Sequence, residues 1–203
     1  PKHHKMKLFR LYWMLVVLVL SLCDAAQAGV HLSKVFGDHM VLQRDKPVPV
    51  FGTADPGERV VVAFNERTLS TTADAQGNWQ VMLPAMSANT RGQTMTVSGP
   101  NTITVHDVLI GDVWLCSGQS NMDMRLAGCN RPEDIAAADF SGIRSFLVPF
   151  AAAGEPLKML KGDPRWIVCN PRSAGSFSAA AFSFARKIYQ ENGGAIPVGL
   201  IVS

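Results

Sequence analysis

One stretch of the chain has residue types suited to nucleophilic chemistry at a place where a fold could use them. In Val108–Met124, VLIGDVWLCSGQSNMDM, an apolar run is cut short by a polar, glycine-containing turn that carries Ser120. A hydroxyl on the turn after a buried strand sits at the carboxyl edge of a sheet, where open α/β sheets place their ligands. The backbone N–H groups that open the next segment point to the same place, so an oxyanion forming beside Ser120 would meet donors. Gln119 and Asn121 flank the serine and are the candidate substrate-binding side chains. Serine, asparagine and glycine are also ordinary turn residues, and Ser120 or Asn121 has the chemistry of a helix cap. The pattern is not the G-x-S-x-G elbow of α/β-hydrolases, because Met122 stands where that elbow has glycine.

Holding such a serine in place requires a covered strand before it and further layers behind it. Val108, Leu109, Ile110, Val113, Trp114 and Leu115 form a continuous rather than alternating apolar run, as expected of a parallel strand covered on both faces. Gly118 is expected to let the backbone turn sharply. Downstream, Ile143–Val148 reads as a second parallel strand and Ile196–Val202 as a third. Between them, Phe177–Glu191 carries Phe177, Ala181, Phe184 and Ile188 at three- and four-residue spacing, which predicts a helix with one apolar stripe. Ser173 or Ser176 is its candidate cap, and Asn192-Gly193-Gly194 its end. Strand, helix, strand in this order implies a right-handed crossover. The Ala-rich Pro132–Phe140 reads as a short helix opened by Glu133 and Asp134. Pro149–Pro164 reads as a loop over the sheet, either shaping a cleft or merely connecting.

Ahead of the key strand the punctuation is different. Val48–Gly52, Arg59–Phe64, Trp79–Leu83 and Gln93–Val97 are short β-rich runs separated by Ala54-Asp55-Pro56-Gly57, Asp74-Ala75-Gln76-Gly77-Asn78, Pro84 and Gly99-Pro100. That regular spacing predicts a β-sandwich. Trp79 lies in an alternating run and belongs in its core, while Asp38, Arg44 and Asp45 read as solvated charges or local ion pairs. The chain therefore divides into a leader (1–28), a β-sandwich (29–106) and an α/β portion (107–203).

The leader has a basic start, an apolar run Leu11–Leu22 and a small-x-small site at Ala26-Gln27-Ala28, the pattern of a secretory signal cut before Gly29. A spanning helix wants about 20 apolar residues, which this run does not reach. A lipoprotein anchor on Cys23 is the lesser alternative, since Leu22 is a poor residue just before that cysteine. The net charge of +3 resides in the leader, and the remainder carries equal numbers of basic and acidic side chains. A neutral body offers no electrostatic case for nucleic acid or an anionic membrane surface. Cys116, Cys129 and Cys169 remain after the leader; no C-x-x-C spacing suggests zinc, and no metal or organic cofactor is implied. Cys116 reads as a small buried hydrophobe, and Cys129–Cys169 is a candidate disulfide in an oxidising compartment.

Gly111–Met122, GDVWLCSGQSNM, resembles the first signature block of the sialate O-acetylesterase branch of the SGNH hydrolases. The resemblance extends upstream through VFGDHMVLQRDKPVPVFGTADPGERVVV at Val35–Val62, and downstream through FSAAAFSFARKI at Phe177–Ile188 and IPVGLIVS at Ile196–Ser203. It implies a flavodoxin-like α/β/α domain, here incomplete, following the β-sandwich. It implies Ser120 as nucleophile and backbone oxyanion donor, a base histidine in a late D-x-x-H block, and further oxyanion donors from a glycine and an asparagine of later blocks.

Those later blocks are missing from these residues. None of the five histidines has an aspartate three positions earlier, and His106-Asp107 lies at the amino end of the key strand, the wrong end for Ser120. The expectation is a secreted or periplasmic carbohydrate O-acetylesterase acting on O-acetylated sialic acid, with acetylxylan or a related glycan as the competitor. This chain would be an incomplete, inactive part of it. A secreted glycan-binding or structural β-domain protein without catalysis is the reading from a different class.

Overall fold

The computed structural model describes residues 29–152, 154–155 and 160–203. The expected leader, with Cys23 and the expected cleavage site after Ala28, lies outside the described residues. In chain order the strands are β1 (His31–Leu32), β2 (Val41–Gln43), β3 (Val48–Thr53), β4 (Arg59–Phe64), β5 (Arg67–Thr72), β6 (Asn78–Leu83), β7 (Asn89–Ser98) and β8 (Thr102–Cys116). There follow a single helical turn α1 (Ser120–Asp123), a 3-10 turn Leu126–Cys129, α2 (Pro132–Ala136), β9 (Phe140–Leu147) and β10 (Trp166–Cys169). A second 3-10 turn Ala174–Ser176, helix α3 (Ala179–Glu191) and β11 (Val198–Val202) complete it. The protein is mixed α/β and mostly sheet. Among the described residues no helix is long and apolar enough to cross a membrane.

Apart from β2, the first half pairs antiparallel. A small sheet runs β1-β3-β6, and β4, β5, β7 and the start of β8 belong to a second, larger one. Alternation decides which side chains are inside. In β6 Trp79, Val81 and Leu83 are buried and their neighbours exposed, and in β4 Val60, Val62 and Phe64 are buried. Both sheets contribute to one core, in which Trp79 is 2% exposed and its indole N–H donates to Thr53 O at 3.1 Å. Asp55-Pro56-Gly57 turns as expected, with Gly57 at φ 81°. The β4–β5 hairpin is closed by Asn65 and Glu66, both left-handed, in a two-residue turn.

β8 runs for fifteen residues, and the expected boundary between 106 and 107 falls inside it. Its first part pairs antiparallel with β7; at Leu109–Gly111 it also pairs parallel with β2, and from Asp112 to Cys116 it pairs parallel with β11. β9 pairs parallel with β11 on the far side, so the order is β9-β11-β8, with the third strand between the first and second. Val198, Leu200 and Val202 of β11 face α3, whereas Ile201 joins the first core. Beyond Gly111 the second edge of β8 pairs with no strand among the described residues, though Val113 N–H donates to Gln43 Oε1 at 2.9 Å. The apolar run is therefore covered on both faces only at Val108–Ile110. Trp114 is 43% exposed and Leu115 71%, which corrects the expectation of a fully covered strand.

The helix stripe also needs correction. α3 begins two residues later than expected, and it is capped by Ser178, whose Oγ accepts from Ala181 N–H, not by Ser173 or Ser176. Instead, Ser173 Oγ donates to Val168 O of β10, and Ser176 Oγ donates to Ser173 O within the turn before the helix. The inward residues are Ala181, Phe182 and Ala185, while Phe184 faces out and packs edge-on against Trp114 at 5.0 Å between centroids. Pro132–Phe140 is likewise divided, its helix stopping at Ala136 and Phe140 opening β9.

A buried cation joins the two halves. Arg144 on β9, 4% exposed, donates to His39 O, Asp107 O and Asp107 Oδ2 at 3.1, 3.3 and 2.9 Å. Asp107 also meets His39 Nδ1 at 2.7 Å, and both Asp107 and His39 adopt left-handed backbone angles. Burial opposes ionisation of Asp107, but the hydrogen bonds from His39 and Arg144, with the charge of Arg144, outweigh it and hold the carboxyl below its usual range. A depressed carboxylate contributes stability that is complete above its unfolded-state value and is lost as pH falls through its folded-state value. We expect Arg144→Met to cost about 2 kcal/mol, less than a fully buried pair because Asp107 is partly solvated. We also expect Asp107→Asn to flatten the acid limb of a stability-versus-pH curve measured by urea titration; an unchanged acid limb would refute the clamp.

Candidate active site

The serine turn is built from what ends β8. Cys116 O accepts from Ser203 N–H at 2.9 Å, fixing the last residue of the strand against the end of β11. Ser117 and Gly118 then lead out, and Gln119, extended at φ −115° and ψ −150°, stands at the N-cap of α1. Gln119 O accepts from Met122 N–H at 2.9 Å and Asp123 N–H at 3.2 Å, closing the turn. Gly118 is not among the residues with positive φ. Its lack of a side chain serves close approach instead, since a Cβ there would lie 3.1 Å from Met122 Cβ.

Ser120 is exposed and lines a cleft of about 960 Å³ at the carboxyl ends of β8, β9 and β11. Gln119 lines it as well; Asn121 is exposed but is not among the lining residues. The opposite wall comes from Leu147, Val148, Pro149 and Phe150, and Glu155, Leu160 and Lys161 add to the rim. The Pro149–Pro164 connection therefore does shape a cleft, although residues 153 and 156–159 within it lie outside the described residues. Neither Ser120 N–H nor Asn121 N–H donates to a protein acceptor among the described residues, which leaves two backbone donors beside the hydroxyl.

No lining residue is a histidine. The ionisable groups on the cleft wall are Asp123, Arg125, Glu155 and Lys161, and Asp123 is occupied by Arg125 at 3.0 Å. His106 and Asp107 do not pair with each other: His106 N–H donates to Asp38 at 2.7 Å, and Asp107 serves the Arg144 clamp. Arg44 reaches Asp45 at 2.6 Å, a local ion pair, but it also reaches Asp112 at 2.8 Å, 68 positions away, tying the end of β2 to β8. Among the described residues no group of three or more His, Cys, Asp or Glu converges as metal ligands would.

Sequence reasoning missed the contacts that anchor the turn from below. Met122 is partly buried against the second core, Leu126 N–H donates to Phe177 O, and Ala179 N–H donates to Met124 O, each at 2.9 Å. These pair residues about fifty positions apart, and only the motif-like serines of 173–178 hinted at a capped helix start there.

The chain has the fold of a carbohydrate acetylesterase. It superposes on the crystal structure of such an enzyme from Xanthomonas citri with a TM-score of 0.81 and 36% identity, covering 86% of this chain and 40% of that one. Sequence comparison narrows the class. The chain is 30% identical to the sialate O-acetylesterase of Rattus norvegicus over 94% of its length and 28% identical to that of Homo sapiens over 94%. It is similar along nearly its whole length to the sialate O-acetylesterases, and spans about two fifths of the length of the relatives it matches. No protein-family model matches it.

The three thiols are free, which corrects the candidate Cys129–Cys169 disulfide. Cys169 is wholly buried with Sγ against Ala138 O, whereas half-buried Cys129 contacts Arg125 O, so the two sulfurs lie in different settings. Burial pushes the Cys169 thiol up to about 12 and raises Cys116 as well. We expect a thiol reagent on residues 29–203 at pH 8 to modify Cys129 first and Cys169 only after denaturation, read by mass mapping. Early modification of Cys169 would show that this core is open.

Proposed function

We propose that this chain supplies the nucleophile of a secreted carbohydrate O-acetylesterase, in which an N-terminal β-sandwich precedes the first part of a flavodoxin-like SGNH domain. The observation that carries it is the exposed Ser120 on the turn after β8, lining a cleft at the carboxyl ends of three parallel strands. Ser120 Oγ attacks the acetyl carbonyl carbon, and its proton passes to a base. The carbonyl oxygen becomes an oxyanion within reach of the Ser120 N–H. Collapse expels the sugar hydroxyl and leaves an acetyl-enzyme; water then attacks and acetate departs, restoring the serine.

With no histidine on the cleft wall, the base has to come from sequence beyond these residues, as do the remaining oxyanion donors. We accordingly read the chain as part of a longer enzyme and inactive by itself. The two-fifths span relative to its matches supports this. O-acetylated sialic acid is the substrate the family points to, with acetylated xylan the nearest competitor. The leader directs the protein out of the cytoplasm, with cleavage after Ala28.

In the full-length enzyme, Ser120→Ala should lower hydrolysis of an acetylated sugar by on the order of 10⁴-fold or more, as for other serine nucleophiles. Residues 29–203 alone should show little or no turnover of the same ester. Robust Ser120-dependent turnover by that shorter chain would overturn the fragment reading, and full activity of the alanine variant would overturn the nucleophile.

A further inference from the structure

Ser178 is 1% exposed, so its hydroxyl must find its partners inside the protein. The oxygen accepts from Ala181 N–H at 3.3 Å, which caps α3. The proton is directed at Met122 Sδ, 3.4 Å away, a weak acceptor that a buried hydroxyl can use when none better is offered. Met122 is two residues past Ser120, in a helical turn of four residues without a side-chain cap. A turn that short does not hold its own shape, so its geometry is set by what it is fastened to. Gly118 closes on Met122 from one side and Ser178 holds its sulfur from the other. The backbone is fastened alongside: Arg125 bridges Ser178, and the Arg125 guanidinium donates to Ser176 O at 3.0 Å.

We propose that Ser178 is a positioning residue for the nucleophile, setting the place of Ser120 through Met122; this rests on the reading of Ser120 as nucleophile. Capping alone does not require serine, since glycine caps nearly as well and aspartate accepts the same N–H. Only a small hydroxyl both accepts from the helix and donates to the sulfur in a space this tight. The serine therefore couples the start of α3 to the turn that presents Ser120.

The test uses the full-length enzyme with Ser120→Ala, Met122→Leu, Ser178→Gly and the Met122→Leu/Ser178→Gly double variant. Kinetics on an acetylated sugar are read beside thermal melts. Met122→Leu conserves volume and leaves the α3 cap intact, so it remains informative should Ser178→Gly fold poorly. We expect Met122→Leu and Ser178→Gly each to lower kcat by about 10- to 100-fold, the scale of a displaced reacting group, with KM little changed. We expect the double variant to fall no further than the lower single, because both changes break one link. Wild-type kcat in folded Met122→Leu, or losses that multiply in the double variant, would overturn the positioning role. Retained activity in Ser120→Ala would instead remove the nucleophile reading on which it stands.

Discussion

One backbone segment serves two cores. β8 begins as the antiparallel partner of β7 and ends as the parallel partner of β11, so whatever fixes its register also fixes where the serine turn emerges. A strand cannot slip by one residue without turning every side chain to the other face, and here a slip would disturb both cores together. The register shifts against β7 and the left-handed Asp107 mark where the strand changes partners, and the Arg144 clamp is placed at that point. Arg44 on Asp112 and Gln43 on Val113 N–H hold the next stretch, so three side chains, from β9 and from the end of β2, fasten the strand between its two jobs.

The elements with a strong period were legible from sequence. Arg59–Phe64 was readable to the residue because its run of valines follows the Asp55-Pro56-Gly57 turn, and Trp79 was readable as core because NWQVML alternates. β5 was not, because RTLSTT is an edge strand with no buried residue, and its Asn65-Glu66 turn lacks the glycine that advertises a tight hairpin. β10 was hidden by its brevity, four residues after a proline-rich connection. The stripe on α3 was legible at Phe177, Ala181 and Ile188, which pack in the second core, but not at Phe184, whose inward place Phe182 and Ala185 take, because spacing alone does not choose between neighbouring apolar positions.

The site was legible only where local sequence makes it. A polar turn after an apolar run announces a presented hydroxyl, so Ser120 and Gln119 could be named. Met122 and Ser178 could not be paired, since nothing in either stretch reveals contact across fifty-six positions. Likewise, the free edge of β8 is a property of strand order, and strand order follows from long-range pairing rather than from composition.

Among the described residues, Trp79 and Trp166 are buried, and Trp114 alone of the tryptophans stands half in water beside an edge of β8 that no described strand pairs, resting on Phe184. Indole emission shifts with hydration, so the protein carries its own optical gauge beside the end of β8 that leads to the serine turn. Any polypeptide that settles along β8 dries that ring and turns its fluorescence bluer, while the two interior indoles stay dark to the event.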